Sequence, residues 1–198
     1  FFLFSDDLNI LNLDFENGIG DYWSFKNGGN TITEVSNNYT KEGDFSFKSV
    51  CEGKNNFRAE LGQEKAYQSV GTHRWYSTWI YLPSDGWKGE EPNWGLISQF
   101  KENIQGHPSF SIRCIDGQNL SASLFFWSDG EQHESVKLFE TGLKVSQDQW
   151  HRMVYHIYYT ADQNGFIEAW IDDESLFPKN SIFQDSSGLV SYEIINHK

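Results

Sequence analysis

The period of this sequence is two almost from end to end, and that constrains the fold more than any other feature. In WHRMVYHIYYT, Arg152, Val154, His156 and Tyr158 share one side of an extended chain. In RWYSTWIYLP, Trp75, Ser77, Trp79 and Tyr81 do the same. The alternation predicts strands at Leu8–Phe15, Thr31–Val35, Phe45–Val50, Asn56–Leu61, His73–Leu82, Gly95–Lys101, Ser109–Ile115, Leu120–Trp127, Ser135–Leu138, Trp150–Tyr159 and Gly165–Asp172. Turn signals such as ENGIG, NGG, KEGD, DGQN, ADQNG and IDDES separate them. Only Gln63–Ser69 and Leu176–Phe183 read as short helices. Many short strands with no strand–helix–strand alternation predict an all-β protein, a two-sheet β-sandwich or jelly roll. The 198 residues suit a single domain spanning 1–198, long enough to bury a core without staples.

Composition narrows the partners. The formal net charge is −13, which argues against a nucleic acid, whose phosphates need clustered Lys and Arg. The same charge weighs mildly against a polyanion. Beyond about 10 Å at 0.1 M salt, however, it is screened, and the local groups of a cleft decide. No apolar run approaches the length of a membrane span. The first residues, FFLFSDD, lack the cationic flank and small-residue cleavage site of a signal peptide. The chain is expected to be a secreted or extracellular monomer from which any such signal has been removed.

Aromatic residues make up 17% of the chain, and they interleave with polar groups on the strands. Arg58 and Glu60 lie opposite Phe57, Ala59 and Leu61. Ile97, Gln99 and Lys101 lie opposite Leu96, Ser98 and Phe100, and Ser109, Ser111 and Arg113 lie opposite Phe110, Ile112 and Cys114. An ordinary solvent face explains each strand taken alone. Together they supply what a sugar ring needs: stacking for its C–H face, and donors and acceptors for its hydroxyls. These polar sides are the expected wall of a concave groove.

The ordered set FRAELGQ, HRWYSTWIYLP, WGLISQFK, PSFSIRC and WHRMVYHIYYTADQNGFIEAWIDD resembles the polysaccharide lyase family that includes heparin lyase I-like and glucuronan lyase-like enzymes. The resemblance covers roughly Leu13 to Asp173. It implies a concanavalin A-like jelly roll and cleavage of an acidic, uronate-containing polysaccharide by β-elimination. Two departures stand out. Lys101 occupies the position where family members often carry His, two residues after the strand Gln. The family's late strand with Lys and Tyr four apart is not found in the closing SYEIINHK. Either the sequence ends before that strand, or Tyr192 and Lys198 are a divergent version of it, or the activity is lost.

Such a lyase removes the C5 proton beside a uronate carboxylate and expels the 4-linked sugar. The site must neutralise the carboxylate and stabilise the enolate-like charge. It also needs a base and an acid. Arg58 suits the neutralising role, because a guanidinium fork matches a carboxylate; an ion pair with Glu60 is the plain alternative. Gln99 offers an amide N–H to the same carboxylate. His156 is the preferred base, since an ordinary His titrates near ~6.5, and Tyr158, two residues on, is the candidate acid. Both also fit plain structural roles in a strand. His107, in the turn QGHP, is the runner-up base. Glu60, Lys101, His107, Arg113 and Trp127 complete the expected substrate-binding set.

Two rival readings stay open: a non-catalytic carbohydrate-binding or laminin G-like module, and a structural adhesion domain. Zinc motifs, phosphate-binding Gly loops and Ser nucleophile elbows are absent from the sequence. No cofactor is required. A structural Ca²⁺ beside Asp14 and Glu16, or a plain turn there, fits LDFENG equally. Cys51 and Cys114 lie at strand positions, so one disulfide or two free thiols are expected.

Overall fold

The structure, a computed structural model, describes residues 12–21, 23–51, 58–63, 71–86, 94–100, 108, 110–115, 117–128, 131–159, 165–177, 182–184 and 191–193; at 94, 124–128, 131–139, 182–184 and 191–193 it describes the strand alone. Two compact units form, Phe1–Gln68 and Ser69–Lys198. All regular structure among the described residues is β, and every strand pair is antiparallel.

The first unit holds two strand pairs. β1 (Trp23–Gly28) pairs with β4 (Arg58–Gln63), and β2 (Thr31–Ser36) with β3 (Ser46–Cys51). Phe47 stacks on Phe15 and Phe25, at ring distances of 6.3 and 5.9 Å. The strand predicted at Leu8–Phe15 is not seen in its described part: Phe15 takes a φ of 67° and its carbonyl accepts the N–H of Gly18 in a turn. Glu16 explains the geometry. Its Oε1 accepts the N–H groups of Asp44 (2.9 Å) and Phe45 (3.0 Å), tying this turn to the start of β3. Asp14 Oδ1 accepts the N–H of Glu16. These oxygens, singled out above for Ca²⁺, serve backbone donors.

The second unit is a sandwich. One sheet runs β12 (Glu174–Ser175), β11 (Phe166–Ile171), β10 (Trp150–Tyr159), β5 (Thr72–Tyr81). The other is a meander of β6 (Trp94–Phe100), β7 (Phe110–Ile115), β8 (Asn119–Ser128) and β9 (Glu131–Lys144). A short pair, β13 (Ile182–Gln184) and β14 (Ser191–Glu193), stands apart. The inner faces meet in one core. Phe110, Ile112, Cys114, Leu120 and Ala122 come from the meander; Met153, Tyr155, Ile157, Ala169 and Ile171 come from the facing sheet. Tyr155 is fully enclosed: Phe100 and Phe110 meet its ring edge-on, and its hydroxyl lies 2.5 Å from Ser98 Oγ. Burial of that phenol pushes its pKa far above the ordinary value.

Four further differences from the sequence reading follow from strand pairing and core packing. A bulge between Leu96 and Ser98 in β6 inserts Ile97 as an extra residue, so Ile97 packs toward the core instead of sharing the polar side with Gln99. β9 extends far beyond the predicted Ser135–Leu138, because pairing with β8 recruits a polar run that carries little strand signal. The helix predicted at Leu176–Phe183 is replaced by a turn and strand. The N–H of Leu176 bonds to Ala169 O at 2.9 Å, Leu176 and Phe177 enter the core, and Ile182 starts β13. The other helix, Gln63–Ser69, fails at its start, since Gln63 ends β4; its remainder lies outside the described residues. At IDDES the turn signal is accurate. Asp172 and Asp173 both take positive φ (48° and 69°), the requirement of a tight two-residue hairpin, here between β11 and β12.

Candidate functional site

Strand phase places the candidate residues on two different faces of the second unit. On the meander, Gln99 sits between core-facing Ser98 and Phe100 and pairs with Ser111, which pairs with Ser123. Arg113, two residues along β7, pairs with Ser121. This outer face therefore carries an amide, a guanidinium and three serines, with the exposed Leu96 paired opposite Arg113. Ser111, Ser121 and Ser123 are wholly buried, and Ser111 Oγ lies 2.6 Å from Ser123 Oγ. Small hydroxyl side chains make a low, polar floor beneath the longer Gln99 and Arg113. Burial pushes the Arg113 pKa down, so its charge is partly stripped of water. A cation in that state gains more from an anion than one in bulk solvent.

His156 and Tyr158 lie elsewhere. They project from the outer face of the β5–β10–β11 sheet, with the core between them and the Gln99 face. The expectation that Gln99 and His156 share one groove is therefore corrected. Each residue alternates with core residues of its own strand, but the strands belong to opposite sheets. Sequence phase reports in or out, never which out.

Around His156 the register assembles a second cluster. Cross-strand partners are Trp75–His156–Glu168 in one row and His73–Tyr158–Phe166 in the next. Nδ1 of His156 donates to Glu168 Oε2 at 2.7 Å. Its Nε2 meets Nδ1 of His73 at 3.1 Å. The Trp75 indole stacks on the His156 ring at 4.1 Å, nearly parallel at 6°, and Tyr158 stacks on His73 at 4.3 Å. Glu168 is only 3% exposed although it faces away from the core, and its Oε1 has no hydrogen-bond partner among the described residues. Burial first, then the neighbouring His156, holds the His73 pKa below the ordinary imidazole value. Both His156 nitrogens are thus engaged. His73 and Glu168 were missed as partners of His156; the signal lay in strand pairing, which brings residues 83 and 12 positions apart into contact.

The remaining candidates divide as follows. In the first unit, Arg58 and Glu60 share a face of β4 and pair with each other, Nη2 to Oε2 at 2.7 Å. Both are part-exposed, so the pair adds little stability. Lys101 and His107 lie outside the described residues. Trp127 pairs with Gln132 on the β8–β9 ladder. Tyr192 pairs with Phe183 on the β13–β14 ladder. Cys51 and Cys114 are free thiols, the first exposed and the second buried. Among the described residues there is no cluster of three or more His, Cys, Asp or Glu placed to hold a metal ion, and no helix long and apolar enough to cross a membrane.

Comparison with known proteins fits this architecture. No curated protein matches the chain. Among solved structures it is similar to the endo-β-1,4-glucuronan lyase from the fungus Trichoderma reesei, with a TM-score of 0.63 and 20% identity over 78% of this chain and 69% of that one. At that identity the likeness establishes the fold, a β-sandwich of the jelly-roll kind. The polysaccharide lyase family profile matches residues 15–191, a span that includes β1 through β13, the Gln99 face and the His156 cluster alike. By that match the chain belongs to the polysaccharide lyase family.

Proposed function

We propose that the protein cleaves a uronate-containing polysaccharide by β-elimination on the Gln99 face of the meander. The observation that carries this reading is the placement of a half-buried guanidinium, Arg113, and the Gln99 amide on one sheet face with three buried serines, in a chain of the polysaccharide lyase family. The acidified step is loss of the C5 proton, which loads negative charge onto the adjacent carboxylate. Arg113 and Gln99 supply the cation and the N–H donor that oppose this charge.

His156 has both nitrogens engaged on the opposite face, so the base role passes to His107. In the sequence that residue lies between β6, which carries Gln99, and β7, which carries Ser111 and Arg113. The electron pair of the C5–H bond forms the C4–C5 double bond and the C4–O bond breaks. In a syn elimination, the protonated base returns its proton to the leaving oxygen. The product is a 4,5-unsaturated uronate, and no water is consumed.

The polymer class follows from the need for a carboxylate at C5: a polyglucuronate, an alginate or a glycosaminoglycan. The test is the ultraviolet absorbance of the unsaturated product on polyglucuronate, alginate and heparin. Absorbance should rise with at least one polymer and fall away in Gln99→Ala and Arg113→Ala proteins that melt normally. Measurable binding to these polymers with no unsaturated product from any would replace this reading with that of a carbohydrate-binding module.

A further inference from the structure

The outer face of the β5–β10–β11 sheet is too specifically built for a plain solvent face. Along β5 the outward row reads His73, Trp75, Ser77, Trp79. Trp75 is 41% exposed and Trp79 40%, among the largest exposed apolar surfaces described. Indoles are usually drawn into cores or interfaces, and two on one strand face mark a contact surface. Their Cα atoms lie four residues apart, about 14 Å at strand rise. With His73 a further two residues on, the row is longer than any single pyranose ring.

The polar part of the row is anchored from behind. Solvent satisfies an ordinary surface histidine, which needs no internal support. Here a buried carboxylate, Glu168, holds His156, and His156 in turn holds His73 by its Nδ1. Tyr158 clamps the His73 ring face. The exposed imidazole is thereby fixed with Nε2 left for an outside partner.

We infer that this face is a second, non-catalytic binding surface for the polysaccharide, with Trp79 as the platform for a sugar ring, Trp75 held beside it by its stacks on His156 and Trp170, and His73 as the hydrogen-bond partner. This inference rests on the reading of the chain as a protein that acts on polysaccharides. The chemistry of the row favours a glycan over a protein partner: indole alternates with hydroxyl and imidazole, and Val154 is the lone aliphatic residue in the adjoining β10 row of Arg152, Val154, His156 and Tyr158. Arg152 in that row is already ion-paired with Asp173. Contact is therefore through ring faces and hydroxyls, and it depends little on salt, unlike carboxylate capture at Arg113. A holding surface on the face opposite the proposed reaction site would keep a long polymer attached between cleavages.

The test uses the whole chain in native gels cast with polyglucuronate, alginate or heparin, at low and high salt. Retardation of the native protein should persist at high salt in at least one polymer. It should weaken on the order of tenfold in Trp79→Ala, survive in Trp79→Phe, and weaken in His73→Ala. Melting temperature and turnover on a short uronate oligosaccharide should be unchanged in Trp79→Ala. Equal retardation of the native, Trp79→Ala and His73→Ala proteins overturns the inference, as does a native protein that none of the polymers retards. A native dimer that Trp79→Ala makes monomeric, with retardation unchanged, would identify the face as a self-association surface instead. Retardation lost in Trp79→Ala while the native protein forms no unsaturated product would uphold the surface and refute the elimination.

Discussion

Glu168 accepts a 2.7 Å hydrogen bond from Nδ1 of His156, although both side chains face away from the hydrophobic core. A carboxylate that is 3% exposed carries a large desolvation cost, which a charge-assisted hydrogen bond offsets. Glu168→Gln keeps the shape and removes the charge. It should destabilise the protein by about 1–3 kcal/mol, read as a lower urea midpoint at unchanged slope. A midpoint equal to that of the native protein would mean that the carboxylate contributes nothing to the fold.

Acid should weaken the fold through His73. Burial and the adjacent His156 lower its pKa in the folded state, so the unfolded chain binds more protons below the ordinary value of about 6.5. Stability from this group is complete above that pH and is lost as pH falls through the folded value. The check is urea unfolding between pH 8 and 5 for the native and His73→Gln proteins. The difference in stability between them should shrink on acidification; a constant or growing difference contradicts it.

Catalysis should separate the two sheet faces. Gln99→Ala should lower turnover on the best polymer on the order of 10²–10³, the usual effect of losing one preorganised donor. Arg113→Ala should do the same, since that guanidinium is the cation of the same sheet face. Arg113→Lys should rescue only in part, because a point charge cannot reproduce a fork. His156→Ala should reduce stability and leave turnover per folded molecule near normal. Abolished turnover in folded His156→Ala would return the base role to that residue.

The thiols should report the fold directly. Cys51 is exposed; partial burial of its sulfur, with a further push from the Glu60 carboxylate, raises its pKa and slows it as a nucleophile. Cys114 is wholly buried. A thiol reagent should label one cysteine per folded chain, slowly, and two per unreduced chain in denaturant. No labelling of the unreduced, denatured chain would mean a disulfide.

Much of this protein could be read from the chain. Alternation fixed the strand of His156 residue for residue at Trp150–Tyr159, and the opposition of Gln99 to Phe100 held, because a half-buried strand must show its period. The pair Arg58–Glu60 was also legible, since residues two apart on a strand face are neighbours. The bulge at Ile97, the long β9 and the turn at Leu176 were not, because each is set by a partner strand or by core space distant in sequence. The same limit governs the site. Local sequence determined that Gln99 and His156 point outward; only the packing of two sheets around Tyr155 and Phe110 decided that they point outward in opposite directions. Pairing of β5, β10 and β11 then decided that His156 spends both nitrogens on His73 and Glu168, since hydrogen-bond partners are chosen by spatial register and register is a property of the assembled sheet.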